Sequence, residues 1–113
     1  MPHGTVNAKE IMKALIASIL LAGLSAQAPV LASAELAQKK TCMACHATDK
    51  KIVGPSYKDV AAKYAGQRDA AELLAGKIMK GGAGVWGAVP MPANPSVSPA
   101  EALQLANWVL GIK

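Results

Sequence analysis

Cys42-Met43-Ala44-Cys45-His46 is the stretch on which the reading of this chain turns. Two cysteines separated by two residues, with a histidine directly after, make C-x-x-C-H, the spacing at which c-type haem is attached. Two intervening residues place the sulfurs about one helical turn apart, within reach of the two vinyl groups on one edge of a porphyrin. His46 then brings its imidazole to the iron from the same turn, so tether and ligand share one short piece of backbone. Three other uses of such a pair exist. A redox-active dithiol belongs at a helix start in a βαβ context, and no strand pattern is present. A zinc site needs four ligands, and beyond the leader the chain offers one His and these two Cys. A plain disulfide leaves His46 and the loop described below without a reason.

The first third reads as a leader. Lys9 and Lys13 precede an apolar run at residues 14–24 (ALIASILLAGL), and Ala32-Ser33-Ala34 supplies the small-x-small pattern of a signal-peptidase site. Ala26-Gln27-Ala28 also fits, but Pro29 would then follow the scissile bond, an awkward residue where extended backbone is needed. The expectation is a cleaved secretory signal over residues 1–34 and one domain over residues 35–113. The alternative is an uncleaved anchor, for which the run falls short of the ~20 apolar residues that spanning requires.

A domain of that size has a marginal core unless something staples it. Its only large rings are Tyr57, Tyr64, Trp86 and Trp108, with no Phe in the chain, so a bound prosthetic group would supply missing interior. The formal net charge of +5 is spread along the sequence without runs, which argues against nucleic acid and suits steering toward an acidic protein surface.

The periodicity predicts an all-α domain of four helices. The first runs from Glu35 to about Ala44. The second carries Tyr57, Val60, Ala61 and Tyr64 at i, i+3, i+4, i+7 between Pro55 and Gly66. Asp69-Ala70-Ala71-Glu72 resembles a capping box opening a third, through Leu73, Leu74 and Ile78 to Gly81-Gly82. Ser98-Pro99-Ala100-Glu101 opens the fourth, with Leu105, Trp108, Val109 and Ile112 as its apolar stripe. Between the last two lies a Gly- and Pro-rich loop, residues 81–97 (GGAGVWGAVPMPANPSV), long enough in so small a domain to imply a function.

Elimination points to a second iron ligand in that loop. His3 leaves with the leader, Met43 sits between the tethering cysteines, and Met79 lies near a helix end; Met91 remains, bracketed by Pro90 and Pro92, which fix φ on both sides. The alternative is that Met91 only packs on the haem edge, leaving the iron open or Lys-bound.

CMACH, Val53-Gly54-Pro55, Tyr57-Lys58-Asp59-Val60, Gly84-Val85-Trp86-Gly87, Pro90-Met91-Pro92 and Asn107-Trp108-Val109-Leu110 together resemble class I cytochrome c, in particular its small bacterial c-551/c-552 type. The resemblance implies the four-helix class I fold wrapped around one covalent haem c. It implies further that the Pro55 carbonyl accepts from His46, that Trp86 donates to a haem propionate, and that Asn94 approaches the Met91 sulfur. Lys77 departs from it, standing where many members carry an Arg propionate partner; lysine supplies the charge without the bidentate fork. The implied function is a periplasmic, monomeric, one-electron carrier, not an enzyme. It would run between a bc1-type donor complex and a terminal reductase, oxidase or peroxidase, with no membrane anchor after cleavage. The rivals are an enzyme or gas sensor with an open sixth position, for which no distal base is visible, and a haem-free thiol or metal module.

Overall fold

The computed structural model describes Gly4, Lys9 and residues 28–113; His3 and the apolar run at residues 14–24 lie outside the described residues. Helix α1 spans Ala28–Lys39 and is followed by a 3-10 turn, Cys42–Ala44. Then come α2 (Tyr57–Lys63), α3 (Ala70–Lys80) and α4 (Pro99–Leu110). Among the described residues there is no strand, only two isolated antiparallel bridges, His46 with Lys51 and Gly82 with Met91.

The first helix does not continue into the C-x-x-C-H motif as the sequence led us to expect. It stops at Lys39, and Thr41 takes a left-handed conformation at φ 61 before the 3-10 turn begins. A β-branched residue there is strained by ~1–3 kcal/mol and persists only where its surroundings hold it. Part of that hold is Lys40, whose ammonium donates to the Ser96 carbonyl at 2.7 Å and pairs with Glu101 at 3.3 Å, tying the end of α1 to the start of α4. Helix α1 also runs through the expected scissile bond after Ala34. On the leader side of that bond Ser33 is buried and accepts from the Gln104 amide at 3.3 Å.

Ser56 caps α2, its hydroxyl accepting from the Asp59 N–H at 3.1 Å. At α3 the expected capping box is absent: Asp69 occupies the N-cap position, but its carboxylate accepts from Gln67 at 3.0 Å and leaves the helical N–H groups alone. The buried face of α3 is Ala70, Leu74 and Ala75, with Leu73 turned outward. At α4 the box is complete, Ser98 Oγ accepting from the Glu101 N–H and Glu101 Oε1 from the Ser98 N–H, with Pro99 in the first turn.

Helix α4 is the central pillar, packing against α1, α2 and α3. Ala102, Leu105, Ala106 and Val109 are buried on it, with Trp108 and Ile112 partly covered at the core margin. Much of the core is alanine, including Ala37, Ala102 and Ala106 at 0 % exposure. Such small residues let helices approach closely but contribute little apolar area each.

Candidate haem site

A cavity of about 600 Å³ opens between the turn at residues 45–55, the loop at residues 81–92 and the inner faces of α2, α3 and α4. That volume lies within the ~300–1,000 Å³ typical of cofactor pockets. Val60, Tyr64, Leu74, Ile78, Ala106 and Val109 give it apolar walls, Cys45 and His46 line it from the motif, and Met91 lines it from the loop.

The motif is shaped by its own backbone. The Cys42 carbonyl accepts from the N–H groups of both Cys45 and His46, at 3.2 and 3.1 Å, which closes the turn. Cys45 lines the cavity, whereas Cys42 packs beside the core; burial pushes its thiol above the ordinary value, partly offset by a backbone hydrogen bond. The two thiols are not bonded to each other.

His46 Nδ1 lies 2.8 Å from the Pro55 carbonyl. A carbonyl can only accept, so Nδ1 carries the proton and donates, and the lone pair is left on Nε2. This is the tautomer a metal-ligating imidazole needs, with the second nitrogen held by a main-chain acceptor. Tyr57 stacks on the same ring, centroids 5.4 Å apart and planes 23° apart. Desolvation, with a smaller effect from Cys42, raises the Tyr57 hydroxyl far above its usual range, so it stays protonated.

Met91 is held by a reciprocal pair of main-chain bonds with Gly82: Met91 N–H to Gly82 O at 2.8 Å, and Gly82 N–H to Met91 O at 3.0 Å. Neither of the other two methionines of the described residues lines the cavity. Met43 accepts at its sulfur from Tyr57 Oη at 3.5 Å, and Met79 packs on the core. Asn94 serves the loop's main chain. Its amide donates to Ile78 O at 2.8 Å and Pro92 O at 3.5 Å, and its own N–H to Met79 O at 3.2 Å, which pins the loop to the end of α3. The hydrogen bonds of its amide thus go to carbonyls and none to the Met91 sulfur. Trp86 lines the cavity and is 41 % exposed, with Lys63 Nζ 5.5 Å from its ring centre; Lys77 lines the cavity as well.

The sequence model of the family described as Cytochrome c matches residues 30–113. The chain belongs to the cytochrome c family. Cytochrome c-552 of Hydrogenobacter thermophilus is 56% identical over 99 residues, covering 88% of this chain and 95% of that protein. Cytochrome c-551 of Azotobacter vinelandii is 60% identical over 76 residues, 67% of this chain and 92% of that protein. The crystal structure of wild-type Nitrosomonas europaea cytochrome c552 superposes with a TM-score of 0.70 at 56% identity, covering 71% of this chain and 99% of that one.

The protein is thus a class I cytochrome c of the small bacterial type, an all-α electron-transport protein with one covalently bound haem c, with which the Cys42-x-x-Cys45-His46 motif is consistent. The residues present fit the group. A largely apolar cavity of cofactor size is lined by one motif cysteine, Cys45, and by His46, whose Nε2 is left unprotonated by the Pro55 contact. Among the described residues, no three His, Cys, Asp or Glu side chains are placed to hold a bare metal ion, so the zinc alternative has no partners here.

Residues that sequence reasoning did not assign to the site are Gly54, Lys63 and the ring face of Tyr57. In the sequence Tyr57 falls on a helical apolar stripe, and its position directly after Pro55-Ser56 is the signal that could place it next to His46.

Proposed function

We propose that the protein is a periplasmic carrier of single electrons, in which His46 Nε2 and Met91 Sδ would hold the iron of the haem. The observation that carries this reading is that one cavity is lined by His46, in its ligating tautomer, and by Met91, the only described methionine there. When bound, the haem supplies reversible one-electron chemistry between ferric and ferrous iron. Pro55 fixes the imidazole through Nδ1. Gly82 and the flanking prolines hold Met91, and Asn94 pins the loop that carries it. Two filled ligand positions leave no place for a substrate, which suits a carrier and not an enzyme.

On this reading Trp86 donates its indole N–H to a propionate and Lys77 offers it a point charge. The lysines of this basic, monomeric chain steer it to acidic faces of redox partners, a bc1-type donor complex and a terminal reductase, oxidase or peroxidase. Residues 1–34 act as the export signal, so the periplasmic product should show an intact mass without them and with one haem added. No described helix is long and apolar enough to cross a membrane.

The deciding experiment is carbon monoxide added to the reduced protein. A closed His/Met site leaves the visible spectrum unchanged, whereas prompt formation of a carbonyl complex would mean an open sixth position and a sensor or enzyme instead.

A further inference from the structure

The backbone carbonyls on either side of His46 each accept one hydrogen bond, and the donors are the two residues that close on its ring. Cys45 O accepts from the Gly54 N–H at 2.8 Å, and Ala47 O from the Tyr57 N–H at 2.9 Å. Gly54 lies over the imidazole ring beside Cε1, so close that a Cβ there would lie 2.5 Å from Cε1, 2.9 Å from Nδ1 and 3.1 Å from Nε2. Its φ lies outside the left-handed region, so nothing in the backbone asks for glycine here; the imidazole does. Tyr57 covers a face of the ring and is itself fixed, by its hydroxyl on Met43 Sδ and by an edge contact with Trp108, centroids 5.2 Å apart.

We propose that Gly54 and Tyr57 form a two-jawed clamp that sets the rotation of the His46 imidazole about its bond to the chain, and so act as positioning residues for the redox centre. The Pro55 hydrogen bond fixes where Nδ1 points but leaves the ring free to swing about that contact. The Gly54 backbone pressed over Cε1 and the Tyr57 ring stacked on the imidazole remove the swing. Because both jaws hang from the carbonyls flanking His46, the ring and its clamp move as one body. The imidazole plane decides which iron orbital it overlaps, hence how unpaired spin spreads over the porphyrin and how ferric and ferrous states balance. Tyr57 also links this ring, through Trp108, to α4, so packing at that helix is felt at the ligand.

The inference rests on His46 being an axial ligand, and proton NMR of the ferric holoprotein separates the two claims. Strongly hyperfine-shifted ring protons of His46 in the parent establish the ligand; their absence would remove that reading. Given the ligand, the clamp predicts that Gly54→Ala and Tyr57→Leu reorder or compress the spread of haem-methyl shifts and move the midpoint potential. Tyr57→Phe, which keeps the stacked ring, retains the parental pattern. Gly76→Ala, where a Cβ meets nothing within 4 Å, serves as the neutral control. If Gly54→Ala does not accumulate, the Leu and Phe variants at Tyr57 decide the matter between them. Parental methyl shifts and potential in folded Tyr57→Leu would overturn the clamp, as would a Tyr57→Phe pattern displaced as far as that of Tyr57→Leu.

Discussion

Gly81→Ala and Gly76→Ala are the same chemical change five residues apart, and the structure gives them opposite signs. Gly81 ends α3 at φ 72 and ψ −167, a region that side chains essentially do not enter, at a cost of ~1–3 kcal/mol. Its Cβ would also meet main-chain atoms of the Met91 segment, running into the Met91 carbonyl and lying 2.9 Å from Ala93 N. Backbone cannot rotate away as a side chain can. Relief therefore means shifting that segment and weakening the reciprocal Gly82–Met91 pair, two hydrogen bonds of ~0.5–1.5 kcal/mol each. We expect Gly81→Ala to lose ~2–6 kcal/mol in all. Gly76 lies inside α3 with open space at its Cβ, so alanine there should add ~0.5–1 kcal/mol by restricting the unfolded chain and favouring helix. Guanidinium unfolding of the two ferric holoproteins, followed by far-ultraviolet ellipticity, reads both. A loss below ~1 kcal/mol for Gly81→Ala would refute the close approach of α3 to the Met91 loop.

Ser98→Ala removes the capping box of α4 and should cost ~0.5–2 kcal/mol in the same assay. Glu101, in that box, has its carboxyl held below the usual 4.5, first by the Ser98 backbone N–H and, less strongly, by Lys40. Because folding lowers this value, its contribution is fully present above pH 4.5 and fades as pH falls through the lowered value; Glu101→Gln should flatten that part of an acid titration. Electron-transfer rates with an acidic partner should fall as salt is added, since steering acts over a Debye length of ~10 Å at 0.1 M; rates independent of salt would assign docking to apolar contacts instead.

The attachment motif and the four helices could be read, and a second iron ligand proposed, because each rests on local chemistry. C-x-x-C-H has a fixed stereochemical reach, the Ser98 box is a four-residue pattern, and the two histidines and five methionines left few ligands to choose among. What was not legible depends on contacts between distant residues. The break after Lys39 is held in part by Ser96 and Glu101, far along the chain. Asp69 looked like the start of a capping box but is occupied by Gln67, a neighbour outside the pattern. The outward turn of Leu73 follows from which face of α3 meets α4, and the need for glycine at position 54 from the ring of His46. Neither leaves a trace in local periodicity.

The carrier function depends most directly on Met91, and the ferric spectrum of two variants measures its role. Thioether ligation of low-spin ferric haem gives a weak far-red charge-transfer band, and soft sulfur favours ferrous iron. The parent should show the band. Met79→Ala, which loses only packing against the core, should keep it along with the parental potential, while Met91→Ala should lose it and titrate at a lower midpoint potential. A Met91→Ala protein that retains the band, together with a Met79→Ala protein that has lost it, would contradict the ligand assignment and the function built on it.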